Sequence, residues 1–274
     1  MNYRHAYHAG NFADVVKHLS LVSIVEHLKK KPAPFAVIDT HAARGLYDLG
    51  GEEARRSGEA AGGIARVRDI SEGPATLLTY LGIVRRAGED RYPGSPLIAA
   101  QLLRPQDRLV AVEKHPEDAR ALATALKPFR RARVAQADGY ASLPSLLPPP
   151  ERRGLVLIDP PYEAPDEFAL AAQAVSQIQR RFATGIATIW FPIKSAAAAD
   201  AFCGEVLAAG PRKILRLDVS VDAPQGKLAA SGVLIVNPPF GFEDEMRQTL
   251  SVVAPKLGGA APAAFDFRML AGEG

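Results

Sequence analysis

GLVLIDPPY, residues 154–162, joins a short apolar run to an abrupt stop. Gly154 to Ile158 is glycine followed by branched apolar residues, the pattern of a strand buried on both faces of a parallel sheet. Asp159-Pro160-Pro161-Tyr162 ends it, because proline cannot donate to a ladder and the chain must turn out of the sheet. In open α/β sheets, ligands bind in the crevice beyond the carboxyl ends of the strands. The tetrapeptide therefore sits where chemistry is expected.

The flanking sequence supplies the rest of such a sheet. Apolar runs at 35–40, 109–113 and 133–137 read as three strands before it, and those at 185–191, 214–221 and 233–236 as three after it. Helical patterns at 97–103, 117–126, 173–182 and 196–209 alternate with them, which predicts a mostly parallel, seven-stranded sheet with helices on both faces. Phe12, Val15, Val16, Leu19, Val22, Val25 and Leu28 recur at helical spacing. They predict an amphipathic helix over 12–31, with Lys17 and His18 near its polar border and Pro32 closing it. No crossover helix follows the first strand at once. Residues 47–92 carry Gly50-Gly51-Glu52-Glu53, Gly58, Gly62 and Gly63, then a helical stretch near 74–87 with Leu77, Leu78, Leu81 and Val84 on one face. They read as a small inserted helical subdomain, leaving 1–46 and 93–274 as one Rossmann-like domain. Ser95 is placed as the N-cap, with Pro96 at the first position, of the helix that re-enters it.

A hydrophobic fraction of 47% and a charged fraction of 23% are those of a soluble globular chain. The net charge of +3 is mild. Cation clusters such as Lys29-Lys30-Lys31, Arg130-Arg131, Arg180-Arg181 and Arg212-Lys213 would suit phosphate contacts if gathered on one face. Charge alone favours ordinary solvated surface. The single Cys203 excludes a disulfide framework and a cysteine-based zinc site, and His5, His8 and His18 fit no zinc spacing. No metal is expected. No window approaches a membrane span and no apolar leader opens the chain, so a cytoplasmic protein with no membrane partner is expected.

The residues ending the strands suit one chemistry. A carboxylate beside rigid proline carbonyls can accept both hydrogens of a flat exocyclic amine, and the ring that follows can stack on the heterocycle bearing it. Asp159-Pro160-Pro161-Tyr162 resembles the (D/N)PP(Y/F) motif of methyltransferases acting on planar amino groups, adenine N6 above all. After the first strand, His41-Ala42-Ala43-Arg44-Gly45 keeps one glycine where a dinucleotide fingerprint needs several. That poverty argues against a pyrophosphate ligand and for S-adenosylmethionine, which has no phosphates. Glu113, ending the second strand, can take ribose hydroxyls. After the third, Asp138 can accept from an adenine amino group and Gly139 lets the backbone come close.

Five blocks carry a closer resemblance: Y-R-H-x-x-H-A-G-N-x-A-D-V-x-K-H at 3–18, D-T-H-A at 39–42, Y-P-G-S-P at 92–96, A-D-G at 137–139 and I-D-P-P-Y at 158–162. Together they resemble the RlmJ-type 23S rRNA adenine-N6 methyltransferases over essentially the whole chain. The resemblance implies a class I methyltransferase sheet with a helical insertion after the first strand. It implies S-adenosylmethionine as cofactor, lined by His18, His41, Ser95, Glu113, Asp138, Gly139 and Asp159, with Asp159 as the catalytic carboxylate. Tyr3, Pro160 and Tyr162 would meet the substrate. The partner it implies is 23S rRNA, naked or in an early assembly intermediate, and the chain is expected to act as a monomer with no disulfide partner. Ala43 and Arg44 depart from the glycines expected there, which leaves that loop's cofactor contact open.

A rival motif, Asn237-Pro238-Pro239-Phe240, would need a permuted order. No cofactor-binding strand and turn follow it, so Asp159 is favoured. An adenine-N6 methyltransferase acting on DNA and a non-catalytic nucleic-acid binder on the same fold are the alternatives.

Overall fold

The structure, a computed structural model, describes residues 5–272. Its main sheet has β1 (Ala36–Asp39), β2 (Arg108–Glu113), β3 (Ala132–Gln136), β4 (Gly154–Ile158), β5 (Ile186–Pro192), β6 (Ile214–Ser220), β7 (Ala230–Val236) and β8 (Ala264–Ala271). They lie in the order β8-β6-β7-β5-β4-β1-β2-β3. The five strands from β3 to β5 are mutually parallel; β7, β6 and β8 pair antiparallel. This is the class I methyltransferase sheet, with one strand more than expected. β8 adds to the edge of β6, and the alternation Phe265-Asp266-Phe267-Arg268-Met269 lets it do so with Phe267 turned inward.

Successive residues of the central strands bury on opposite faces, as a strand's two-residue period requires. Val37 and Leu155 join one apolar cluster, Ile38 and Val156 the other. The first cluster includes the helix Phe12–Lys29, capped by the Asn11 side chain accepting from Asp14 N at 2.9 Å. Four valines and Ile24 make this a weak helix by propensity. Burial on all sides holds it, at about 1.5–3 kcal/mol for each fully buried branched side chain. The amphipathic expectation fails here: Asp14, Lys17, His18, Ser20 and Ser23 are all buried. The missing polar face is covered by the helices Ala75–Ala87 and Ser95–Leu102 and by Phe242–Val253.

Residues 47–92 hold the helices Glu52–Ser57, Ile64–Val67 and Ala75–Ala87, tied at the base by a two-stranded ladder of Leu46–Asp48 with Arg91–Pro93. Ile64 N donates to Gly10 O at 2.8 Å, seating the segment on the start of the Phe12–Lys29 helix. Tyr80 takes the buried place expected of Leu78, which is exposed. Ser95 is no cap: the helix Ser95–Leu102 is capped by Gly94, and the Ser95 hydroxyl is drawn to Asp39. No helix among the described residues is long and apolar enough to cross a membrane.

Candidate active site

β1 has β2 on one side and β4 on the other, so the chain reverses direction across the sheet at β1. The crevice of an open α/β sheet lies at such a switch point. A cavity of about 430 Å³ opens there at the carboxyl ends of the strands. The structure brings His18, His41, Ser95, Glu113, Asp138, Gly139 and Asp159 together in its wall.

Each is held by local chemistry. Glu113, at the end of β2, accepts Ala43 N–H at 2.8 Å and His115 N–H at 2.6 Å, which fixes the loop after β1. Ala43 thereby takes a left-handed backbone at φ 49°. Asp138 caps the helix Gly139–Leu146 through Ala141 N at 3.0 Å and pairs with Lys114 at 3.0 Å. Gly139 has no alternative: a Cβ there would lie 2.1 Å from the Thr40 carbonyl oxygen, so any side chain would part β1 from this helix. His41 stands edge-on to Tyr140, ring centroids 4.8 Å apart, and burial pulls its pKa down to about 4. Fully buried His18 bonds Tyr92 through Nδ1 at 2.6 Å, and burial holds its pKa at about 3. Both imidazoles are neutral at pH 7.

Two carboxylates stand at strand ends beside the switch point, Asp159 in the cavity wall and Asp39 buried against the wall residues Ser95 and His41. Asp39 ends β1, accepts from Ser95 Oγ at 2.7 Å and from His41 N at 3.3 Å, and is pushed up to about 7 by burial, with Asp159 adding to the shift. Asp159 follows β4 and receives the ammonium of Lys17 on Oδ2. Lys17 also binds Asp14 at 2.7 Å, one helical turn away. Burial alone would lower the Lys17 pKa; Asp14 and Asp159 overcome it and hold the ammonium well above its usual range. Burial would likewise raise Asp14, but Lys17 and His5 hold it well below the usual carboxylate range. Asp14 further accepts from His5 at 3.1 Å and Gly10 N at 2.9 Å.

Asp159, Lys17, His5 and Pro161 also line a second cavity of about 370 Å³, so the Lys17–Asp159 pair stands in a wall common to both. Pro160 faces the first. Tyr162 faces the second, in a left-handed backbone (φ 52°) that a bulky residue rarely adopts. Its hydroxyl donates to Trp190 O at 2.7 Å, and its ring packs on Phe168 and Trp190 at 4.7 and 5.8 Å between centroids. Tyr3 lies outside the described residues, as does Arg4 of the same sequence block.

The first cavity offers acceptors. Its cations Lys17 and Lys114 are already paired with carboxylates, and Tyr140 Oη is buried without a partner. A lining of carboxylates and an unspent hydroxyl suits a ligand with hydroxyls, amino groups and a positive centre, and is unsuited to phosphates. S-adenosylmethionine has that chemistry. Among the described residues no group of three or more His, Cys, Asp or Glu is arranged to hold a metal ion.

Lys17 and Asp39 do not stand among the site residues expected from the sequence. An acid and a base three apart on a helix look like any solvated surface pair; the partner that gives Lys17 its meaning lies 142 residues on. The rival Asn237 is structural. Its amide donates to Ala183 O at 2.9 Å and Gly185 O at 2.8 Å, clamping the start of β5 at the end of the sheet away from Asp159.

Residues 32–265 match the family model RsmJ, described as Ribosomal RNA large subunit methyltransferase D, RlmJ. The chain is 43% identical over 263 residues to the Ribosomal RNA large subunit methyltransferase J of Escherichia coli (strain K12), an alignment covering 94% of each. It is 38% identical over 264 residues to the protein of the same name from Haemophilus influenzae, again covering 94% of each. Among solved structures, a crystal structure of a Legionella pneumophila (str. Philadelphia 1) protein superposes with a TM-score of 0.88 at 30% identity, covering 96% of this chain and 98% of that one.

Proposed function

The chain belongs to the RlmJ family of ribosomal RNA large subunit methyltransferases, and on that footing we propose that it methylates the N6 amine of an adenine in 23S rRNA, using S-adenosylmethionine. The observation that carries the reading is the Lys17–Asp159 pair in the wall between two cavities at the switch point of the sheet. One cavity takes the cofactor and the other the target base, which must be splayed out of its stack to enter.

The lone pair of an adenine amine is delocalised into the ring, so the amine is a poor nucleophile. Lys17 takes Asp159 Oδ2, and Oδ1 is the remaining acceptor. With the Pro160 carbonyl beside it, Asp159 would accept the amine hydrogens and draw the nitrogen toward tetrahedral geometry. S-adenosylmethionine, when bound, supplies an electrophilic methyl group on a sulfonium. The amine grows acidic as its new bond forms, so Asp159 has only to receive the departing proton. Positioning and electrostatics then carry the catalysis. Tyr162, set against Trp190, offers a ring wall to the base, and Tyr3 is assigned to the substrate with it.

His18, His41, Ser95, Glu113, Asp138 and Gly139 are assigned to the cofactor, and residues 47–92 to an inserted subdomain of a monomeric, cytoplasmic enzyme. Asp39 gives this assignment a pH signature. A cationic ligand favours an ionised neighbour, so cofactor affinity should climb as pH rises from 5.5 to the Asp39 value of about 7 and level off above it. Calorimetric titration of S-adenosylmethionine across that range checks it, and the Asp39→Asn variant should lose the slope. The same shift predicts that the free protein loses stability as pH rises from the unfolded Asp value near 4 through about 7.

Tritium transfer from labelled S-adenosylmethionine into protein-free 23S rRNA, with large subunits and genomic DNA in parallel, tests the function itself. N6-methyladenosine in the naked rRNA is the expected product. Label in DNA alone would overturn the substrate, and no transfer to any of the three would overturn the enzyme.

A further inference from the structure

Phe240 is 95% exposed, on the turn that follows β7. The Asn237 amide and the Asn237 N–H to Lys213 O bond (2.9 Å) pin this turn to the starts of β5 and β6. Those starts are strongly basic. Arg180 and Arg181 end the helix before β5, and Arg212 and Lys213 precede β6. No side-chain partner is found for any of the four among the described residues.

The same end of the sheet continues the pattern. Leu109 N bonds Arg131 O and Ala36 N bonds Arg153 O, which sets the Arg130-Arg131 and Arg152-Arg153 turns level with the start of β1. The Arg153 guanidinium donates to Leu28 O and Ala33 O, bringing Lys30 and Lys31 alongside. Acids at this end are mostly spent within the chain. Among the described residues, Asp107 is bound by Arg104, Glu151 by Arg108, Glu26 by Lys29, Glu243 by Arg247 and Glu245 by Thr76. The whole chain carries only +3, so charge is segregated and the remainder is net acidic. Cations at helix C-termini are common because the dipole favours them. A fully exposed aromatic ring among them has no such explanation.

We propose that this end of the sheet, opposite the catalytic cavity, is a second RNA-binding surface on which Phe240 stacks an unpaired base while Arg180, Arg181, Arg212 and Lys213 track the phosphates. An exposed ring among unpaired cations is the combination by which proteins hold single-stranded nucleic acid, the ring stacking a base while the cations follow the phosphates. β5 spans seven residues, so the two ends of the sheet stand about 20 Å apart. Only an extended RNA reaches both. The surface would hold such a substrate by interactions that carry no sequence information, and it rests on the rRNA reading above.

The test is fluorescence anisotropy with a short labelled oligouridylate over a series of KCl concentrations, alongside methylation of 23S rRNA. Phe240→Ala should weaken oligouridylate binding about fivefold or more, as expected when one base is no longer stacked. The double variant Arg180→Glu/Arg181→Glu should lower the salt slope by about 0.7 for each phosphate that is no longer neutralised. In both, KM for rRNA should rise while kcat and cofactor affinity stay unchanged. Oligouridylate affinity and salt slope equal to the parent in both variants would overturn the proposal. So would weakened binding of polyglutamate with RNA binding untouched, which would assign the face to an acidic protein. A parent that binds the oligomer with the expected slope yet methylates nothing would instead sink the enzymatic reading and leave the surface standing.

Discussion

Asp159→Asn should cut methyl transfer by about 10²–10³-fold or more while leaving the affinity for S-adenosylmethionine within about threefold. The lower bound is the effect of deleting one preorganised electrostatic group in other enzymes. The change is isosteric, so the turn after β4 and the packing of Pro160 survive. The charge does not. An amide presents one acceptor in place of two, and its NH₂ faces either the Lys17 ammonium or the amine it should be accepting from. Either orientation sets donor against donor. Cofactor affinity is spared because Glu113, ending β2, and Asp138 and Gly139, opening the helix after β3, keep their own contacts. Single-turnover methylation, with calorimetric titration of the cofactor, separates the two. Near-parent turnover would remove Asp159 from the chemistry, and a parallel loss of cofactor binding would make its role structural.

How far the site could be read from sequence follows from where each residue's partners lie. Asp159, Glu113 and Asp138 are legible as crevice residues because each stands at the end of a strand, and a strand end in a parallel sheet has a known relation to the crevice. Proline made the first of these boundaries unmistakable. Ser95 departs from its expected cap because capping is a local rule, and the hydroxyl is claimed by a carboxylate 56 residues away. The burial of the Phe12–Lys29 helix is hidden for a similar reason: its polar residues make it look two-sided until the helices Ala75–Ala87, Ser95–Leu102 and Phe242–Val253 are folded over it. β8 went unseen although its alternation was present, because the glycines at 258–259 and the charges on its exposed face resemble a tail. Periodicity reports one element at a time. It says nothing of which distant side chain will neutralise a buried charge.

Lys17→Met shows what that last point is worth. Lys17 and Asp14 are 5% and 2% exposed, and Asp159 13%. Methionine fills the stem of lysine but leaves a carboxylate uncompensated on each side. Removing one partner of a buried pair costs about 3–5 kcal/mol, which for a domain of this size lowers Tm by roughly 10 °C. His5 and Gly10 N still bind Asp14, so the protein should fold. The sign of the pH dependence identifies the cause. In the parent, the depressed Asp14 contributes stability above its unfolded pKa near 4 and loses it only as pH falls below. The raised Lys17 contributes stability below 10.5 and loses it only as pH climbs beyond. Their joint contribution is therefore flat between the two. Without Lys17, burial, which raises the Asp14 pKa, is opposed chiefly by His5, so the pKa climbs from its depressed parent value and protonation relieves the variant at pH values where the parent gains nothing. The Tm deficit should accordingly be largest near pH 7 and shrink toward pH 5. An equal deficit at both would mean lost packing alone. A deficit confined to neutral pH, together with methyl transfer as poor as in Asp159→Asn, would show one ammonium serving two carboxylates: Asp14 to hold the fold, and Asp159 to hold the geometry of the reaction.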